Sequence, residues 1–286
     1  MKKLLSIITF FTLLALPIFV EAGDENCKCD TKKELTKYQN GILINVSERQ
    51  SILTQKMSKE ALFIAKGINS EDNKESLKKS IALFDKVIKG LVNSDEGLNL
   101  PVTSDNETLG QIGKVYMLWS GFKSNINKVA EGKVNKEILK MLAKDNVPLL
   151  NEMNKVVKMY EKNSNLKLNP KIEEKINIAD KQILLIQKMT KELLLIANNI
   201  EATNNSENIK QTSRQFDATL KKLQYKCTKS NVKEQLEEVT ALWNGYKDIV
   251  ETINTSEASL KKAEEMNVAL LKSMNRAIVL FKVVNL

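Results

Sequence analysis

The sequence predicts an all-α protein made of two tandem antiparallel four-helix bundles after a signal peptide. Three observations support this fold. Apolar residues recur at three- and four-residue steps over long windows. Only four Pro and ten Gly interrupt the 286 residues. The second half of the chain repeats the first in order, which indicates a duplicated unit.

Breaks in the helical pattern divide the chain into eight predicted helices of about 20 to 40 residues, a length suited to bundles. The predicted breaks are 69–72, 93–106 around Pro101, Gly132, 163–170, 203–206, 228–231 and 254–256. Short connections make consecutive helices antiparallel, so each set of four forms one bundle. The predicted domains are a signal peptide over 1–22, a first four-helix unit over 23–165 and a second over 166–286.

The repeat is clearest in one unusual stretch. INVSERQSILTQKMSKE from Ile44 to Glu60 returns as INIADKQILLIQKMTKE from Ile176 to Glu192, 132 residues later. Three further segments recur in the same order: Phe84-Asp85 as Phe216-Asp217, WSGFK at 119–123 as WNGYK at 243–247, and Leu149-Leu150 with Met153-Asn154 as Leu270-Leu271 with Met274-Asn275. Every predicted helix of one half therefore has a counterpart in the other.

The N-terminal segment has the features of a secretory signal. Lys2 and Lys3 precede an apolar run from Leu4 to Val20, and Val20 and Ala22 occupy the positions that a signal peptidase reads. We expect cleavage after Ala22; an uncleaved anchor is the alternative. No later stretch of the sequence approaches a membrane span, so we expect an exported protein, periplasmic or secreted.

Composition argues against catalysis and against nucleic acid as a partner. The chain has no His, which removes the commonest general base and zinc ligand. The net charge of +9 comes from Lys spread along helices and often near Glu, a pattern typical of solvated faces. The acidic pairs Asp85 with Asp217 and Glu60 with Glu192 are interpreted in the same way. We expect no enzyme, no cofactor and no metal.

Three cysteines leave a pairing open. Cys27 and Cys29 precede the first helix, and Cys227 lies in a loop that the predicted topology brings to the same pole. In an oxidising compartment, Cys227 can pair with either. A metal held by the C-x-C pair is a weak alternative without His.

The repeated stretch places polar groups where core residues belong. Gln50 and Gln182 fall on the apolar stripe of their helices, so each should hydrogen-bond to another helix. An adjoining stripe carries further amides and cations. The predicted ligand-binding residues are Asn45, Arg49, Gln50, Lys56, Asn177, Lys181, Gln182 and Lys188. The alternative is that the aliphatic parts of the cationic side chains pack on the core while their charged ends stay in solvent. Gln50 and Gln182 would then fix the register in which the helices pack.

The pattern I-N-x-[AS]-x-[RK]-Q-x-x-L-x-Q-K-M, followed by W-x-G-[FY]-K, resembles the PilJ-type domain. That domain is the N-terminal sensing region of type IV pilus methyl-accepting chemotaxis transducers, and it overlaps with the sensor of NarX-type nitrate/nitrite receptors. The resemblance covers Tyr38 to Lys162 and Pro170 to the end. It implies two periplasmic four-helix sensing units. Independently of the resemblance, we hypothesise that the tandem replaces a homodimer, with the two units forming inside one chain the paired bundle that receptors make from two.

The resemblance also implies where a ligand would bind. In the nitrate receptors an Arg on the first helix grips the anion, and here that position holds Ser51 or Ile183. Neither can supply a guanidinium contact, so nitrate binding in that manner is not expected. Arg49, Lys56, Lys181 and Lys188 are the cations left to hold an anion.

We therefore expect an exported, non-enzymatic sensory protein that binds a small polar or anionic ligand. Transducers continue into a membrane helix, whereas this sequence ends at Leu286, so we expect action through a separate membrane receptor or envelope protein. The alternative is a structural or protein-interaction component of the cell envelope without a small ligand. The second unit has Ile183 and Ile186 where the first has Ser51 and Thr54, which makes it the candidate for a purely structural half.

Overall fold

Helices form nearly all of the part of the chain that the computed structural model describes, residues 35–164, 170–227 and 229–283. The α-helices are α1 (Lys37–Ala65), α2 (Ser70–Asn93), α3 (Asn106–Ala130), α4 (Lys136–Asn163), α5 (Pro170–Ala197), α6 (Ala202–Tyr225), α7 (Ser230–Glu251) and α8 (Glu257–Val283). A short 3₁₀ helix, Glu96–Leu98, lies between α2 and α3. The predicted all-α class is confirmed.

Several helices begin at side chains that satisfy their free N–H groups. Thr36 Oγ1 accepts from the N–H of Gln39, and the Gln39 side chain accepts in return from the N–H of Thr36, a complete capping box. Asp105 caps α3 and Asn135 caps α4 by accepting one backbone N–H each, from Thr108 at 2.8 Å and from Ile138 at 2.9 Å. These caps explain why the helices start where polar residues interrupt the apolar pattern.

Two predicted breaks were placed about one turn too late. The α1–α2 connection is 66–69, and the α5–α6 connection is 198–201, so residues 203–206 lie inside α6. Each connection turns through a left-handed residue, Gly67 in the first and Asn199 in the second. Each also buries an isoleucine, Ile68 or Ile200. The polar residues that suggested a break are the first turns of the next helices.

The eight helices form two sets of four with the same neighbour relations. In the first set α1 packs against α2 and α4, and α3 packs against α2 and α4; α5 to α8 repeat this arrangement. In addition α1 packs against α5, and both sets belong to one compact unit. The predicted boundary at 165/166 lies outside the described residues, and the division into domains stays a prediction.

A repeated aromatic and carboxylate pair anchors the interior of each set. Phe84 packs on Trp119 with ring centroids 4.4 Å apart, and Phe216 packs on Trp243 at 4.5 Å. Each tryptophan is about 1 % exposed and donates its indole N–H to the residue after the phenylalanine, Asp85 or Asp217, at 3.1 Å. The recurring Phe-Asp segment is thus a structural element that lets a buried indole keep a hydrogen bond.

Asp85 also receives two cations. Lys123 and Lys89 lie 2.7 and 2.8 Å from its carboxylate. Partial burial raises the pKa of Asp85, but the hydrogen bonds from Lys123, Lys89 and Trp119 outweigh it and hold that pKa well below its usual range. Asp217 lies in similar surroundings, with Lys221 at 3.2 Å and Lys247 at 3.5 Å, so both acids have structural partners.

Several expectations fall outside the described residues. The predicted cleavage site after Ala22 is one, and Cys27 and Cys29 are another. Cys227 is described, and its thiol is buried; burial raises its pKa. Among the described helices, none combines the length and the apolar content needed to cross a bilayer.

Replacing Asp85 with Asn should lower the free energy of unfolding at pH 7 by about 1–3 kcal/mol, because the amide leaves Lys123 and Lys89 without a charged acceptor. The folded pKa lies below the ordinary 3.8, so this contribution is present above pH 3.8 and is lost as the pH falls below it. Urea unfolding of both proteins from pH 3 to 7 measures the difference. Asp248→Asn, at an exposed position, is the matched control, and an equal loss in both variants would contradict the prediction.

Candidate functional site

The residues that the sequence predicts to bind a ligand lie at different depths along α1 and α5. Arg49, Asn177 and Lys181 are exposed, and Asn45 is half-buried. Lys56 and Lys188 are half-buried, and each pairs with a glutamate one turn later. Lys56 Nζ lies 2.5 Å from Glu60 Oε1, and Lys188 Nζ lies 3.5 Å from Glu192 Oε1.

Each ion pair lies within one helix, and its members form further hydrogen bonds to the neighbouring helix of the same set. Lys56 Nζ also donates to Ser76 Oγ and Ser80 Oγ of α2, both at 2.8 Å. In the second set, Thr212 of α6 donates to Glu192 Oε2 at 3.1 Å. Lys56 therefore faces α2, and Lys188 is tied through Glu192 to α6. As ligand residues they stay a prediction.

The two stripe glutamines differ in their partners. Gln182 Nε2 donates to the carbonyl of Phe216 at 3.1 Å and to Thr219 Oγ1 at 2.8 Å, both on α6, which confirms the expected bond to another helix. For Gln50 that expectation is wrong, because among the described residues its Nε2 donates only to the carbonyl of Val46 in its own helix, at 3.4 Å. The oxygen of each amide is buried and has no hydrogen-bond partner among the described residues.

A second polar stripe, which sequence reasoning missed, lies where α1 packs against α5. We call this contact the seam. Its buried polar residues are repeated at the same spacing of 132: Gln55 with Gln187, Ser58 with Thr190, and Lys59 with Lys191. All six side chains are at most 6 % exposed. The pairing of Lys-Glu at 59–60 with Lys-Glu at 191–192 was the available signal, but a lysine on a helix is ordinarily read as solvated.

Each buried lysine reaches across the seam to the fourth helix of the other set. Lys59 Nζ donates to Oδ1 of Asn267 on α8 at 2.7 Å. Lys191 Nζ donates to Oδ1 of Asn146 on α4 at 3.0 Å. The two asparagines are fully buried. The crossed contacts are reciprocal, so each buried ammonium group donates to an asparagine of the opposite set.

Neither ammonium group forms a direct ion pair with a carboxylate of the described residues. No carboxylate of the described residues lies within 4.0 Å of either Nζ. Burial lowers the pKa of Lys59 to about 8, although Glu60 and Glu264 raise it, and Lys56 lowers it further. Burial likewise lowers the pKa of Lys191 to about 8 against the opposing effect of Glu192, and Lys188 lowers it further. The cause is the loss of hydration of a charge in a low-dielectric interior.

Several seam atoms have no hydrogen-bond partner among the described residues. They are Ser58 Oγ, Gln55 Oε1 and Gln187 Oε1. Buried polar atoms are nearly always paired in native proteins, so an unpaired group points to a ligand, a solvent molecule or a functional site. Hydroxyl and ammonium donors together suit a small polar or anionic molecule. Among the described residues no cluster of three or more Cys, Asp or Glu is arranged to hold a metal ion.

Comparison with known proteins bears on the first set. Residues 40–143 match the family PilJ, described as type IV pili methyl-accepting chemotaxis transducer N-term. The match runs from the start of α1 into α4 and includes Gln55, Ser58 and Lys59. It confirms the resemblance there; two tandem copies stay a prediction. No curated protein matches the chain at a significant level.

Replacing Lys191 with Met should raise the free energy of unfolding at pH 7 by about 1–3 kcal/mol, since a charge no longer has to be buried. The folded pKa of about 8 lies below the ordinary 10.5, so the unfolded chain binds more protons between these values. The free energy of unfolding of the wild type therefore rises as the pH increases from about 8 to 10.5. The difference in this free energy between Lys191→Met and the wild type becomes smaller over the same range.

Urea unfolding at pH 7, 8, 9 and 10 measures this difference. Lys59→Met is the matched partner and should give the same trend. A stability difference that is constant over the whole pH range, in either variant, would contradict a buried ammonium group at that position.

Proposed function

We propose that the protein is an exported sensory domain that binds a small polar or anionic solute at the seam. It acts outside the cytoplasm through a separate membrane partner. The observation that carries this proposal is the pair of buried lysines, each crossing to the other set beside unpaired hydroxyl and amide oxygens. An anionic group can accept from the ammonium and hydroxyl groups, and a donor group of the same solute can satisfy the amide oxygens, only when both sets are in place. Its binding would therefore act directly on how the two sets pack.

The match of residues 40–143 to a chemotaxis transducer N-terminal family supports a sensory role. The stripe predicted from the sequence supports a polar ligand on the same two helices, although Lys56 and Lys188 are already engaged by Glu60 and Glu192. Export rests on the signal-like segment before Ala22. The membrane partner follows from the transducer resemblance, since a sensing domain needs a signalling module.

Thermal unfolding of the purified protein at low salt tests solute binding. The panel contains nitrate, nitrite, organic acids, amino acids and neutral solutes. A solute that binds only the folded state raises the melting temperature with dose, by the equivalent of about 2.7 kcal/mol at a hundred times its Kd. We expect at least one solute to do so, and a flat panel would contradict the proposal.

Variants locate the response. Lys59→Met and Lys191→Met remove the seam ammonium groups, and we expect at least one of them to abolish the shift. Lys56→Met and Lys188→Met remove the cations of the stripe predicted from the sequence. A response lost only in this second pair would place the ligand on the outer stripe and contradict a site at the seam.

The alternative, an envelope protein that binds another protein without a small ligand, has one observation in its favour. Large apolar side chains are exposed on the described helices, among them Met117 at 69 % and Tyr116 at 51 % on α3. Adjacent exposed apolar residues suit a protein contact. Retention of one dominant envelope protein by the wild type, and its loss in Met117→Lys, would favour this alternative.

A further inference from the structure

The two ends of the molecule differ in the side chains that they expose. We call one of them the basal end. It consists of the first turns of α1, α3, α5 and α7, the last turns of α2, α4, α6 and α8, and the α2–α3 and α6–α7 connections. Antiparallel packing brings these segments together within each set. The two sets share this end, because Asn198, just after α5, donates to the carbonyl of Leu62 near the end of α1 at 3.4 Å, so α1 and α5 run in the same direction.

The two most exposed large apolar side chains of the described residues lie at the basal end. Tyr225, the last residue of α6, is 91 % exposed, and Tyr38, in the first turn of α1, is 72 % exposed. Val102 in the α2–α3 connection and Val279 near the end of α8 are exposed as well. The described connections at the opposite end expose no large apolar side chain. A tyrosine combines an apolar ring with a polar hydroxyl, which suits a boundary between water and lipid.

A lysine cluster surrounds Tyr225. The segment 221–233 contains five lysines and no acidic residue: Lys221, Lys222, Lys226, Lys229 and Lys233. Lys221 pairs with Asp217 at 3.2 Å, and Glu174 at the start of α5 pairs with Lys222 at 3.0 Å and with Lys226. Lys229 and Lys233 are exposed. No carboxylate of the described residues lies within 4.0 Å of either ammonium group, so both are available to an external anion.

The first set carries a different charge at the same end. Residues 93–107 contain four acidic residues and no lysine or arginine. Asp95 and Asp105 accept backbone N–H groups as caps, whereas Glu96 and Glu107 are exposed. Because α2 and α3 pack mainly within the first set and α6 and α7 within the second, the acidic connection and the lysine cluster lie on opposite sides of the α1–α5 contact. The positive charge of the basal end is therefore concentrated on the second set.

We propose that the basal end docks, through the second set, on the surface of a bilayer that contains anionic phospholipids. Lys229 and Lys233 lie against lipid phosphates together with the rest of the lysine cluster. Tyr225 and Val279 lie at the level of the headgroups. This inference goes beyond the proposed function, since it does not require a solute at the seam. It places the protein on the surface in which a membrane partner resides.

The arrangement of these side chains favours a lipid surface over a folded acidic partner. The exposed apolar residues are distributed over α1, the α2–α3 connection, α6 and α8 and do not line one groove. A fluid surface can contact each of them separately, and it needs no fixed register. Mobile anionic headgroups also suit lysines, which bind phosphate as flexible point charges. The attraction acts within about one Debye length, which is about 10 Å at 0.1 M salt, so it requires close approach and is weakened by salt.

Co-sedimentation with large unilamellar vesicles tests the proposal. The protein is the chain 23–286, because the apolar run from Leu4 to Val20 would itself bind lipid; Glu34–Leu286 forms one compact unit, so this chain keeps the fold. The vesicles are pure phosphatidylcholine or phosphatidylcholine with about 30 % phosphatidylglycerol. We expect binding to the anionic vesicles at about 50 mM sodium chloride, a large loss at about 300 mM, and no binding to the neutral vesicles.

Two double variants locate the charge. Lys229→Gln with Lys233→Gln should weaken partitioning onto anionic vesicles by about fivefold for each positive charge removed, or about 25-fold in all. Lys136→Gln with Lys144→Gln is the matched control, because these lysines are exposed on the half of α4 that lies toward the opposite end. It removes the same charge and should bind as the wild type does. Circular dichroism checks that each variant is folded.

A second pair of variants tests the apolar contact. Tyr225→Ser should weaken partitioning about fivefold, because the ring no longer enters the headgroup region. The fold should be unaffected, since this side chain is almost fully exposed. Met117→Ser removes an exposed apolar side chain midway along α3 and should leave vesicle binding unchanged.

The outcomes are distinct. Salt-sensitive binding to anionic vesicles that falls in the Lys229 and Lys233 variant, and not in its control, supports the docking surface. Equal retention of the two double variants would assign the binding to overall charge and overturn it. Absence of binding to anionic vesicles at low salt also overturns it, and capture by immobilised polyglutamate in that case would assign the lysine cluster to an acidic protein. The solute panel is independent of these results, so either proposal can fail while the other stands.

Discussion

Two buried ammonium groups constrain the arrangement of the whole molecule. Removing a lysine from water is costly unless acceptors replace the lost hydration, and here each acceptor comes from the opposite four-helix set. Asn146 and Asn267 must therefore face α5 and α1 at the correct height, which fixes the register of four helices at once. Leu62, Phe63 and Leu139 of the first set pack into the hydrophobic core of the second set. These apolar contacts stabilise an arrangement whose register the polar contacts specify.

Most of the fold follows from local features of the sequence. Helical spacing and capping residues such as Asp105 and Asn135 define the helices, and the ordered repeat gives the two sets. The connections after α1 and α5 were less predictable, because the residues that reverse the chain are Gly67 and Asn199 in the left-handed region, and a buried isoleucine follows each. Polar residues such as Asn204 look like a loop, but they form an exposed first turn of α6.

The candidate site was harder to predict, for a physical reason. A helix with one buried face shows a clear apolar stripe, whereas α1 is buried both toward its own set and toward α5. The second buried face contains Gln55, Ser58 and Lys59, residue types that are mostly exposed in other proteins. Knowing that these residues are buried requires knowing that α5 covers them, which is a tertiary fact. The repeat identified the correct segment of α1, but it did not show that the face toward α5 carries the buried polar residues.

Because both halves of the seam belong to one polypeptide, their pairing is independent of protein concentration. Two separate subunits associate only above their dissociation constant, whereas linked halves meet at an effective concentration in the millimolar range for short linkers. Dilution in a large compartment thus leaves the paired arrangement intact. Linkage also allows the two sides to differ. In a symmetric dimer every substitution appears twice, but here Ser58 and Thr190 differ within one molecule. Each side of the seam can therefore be substituted independently of the other.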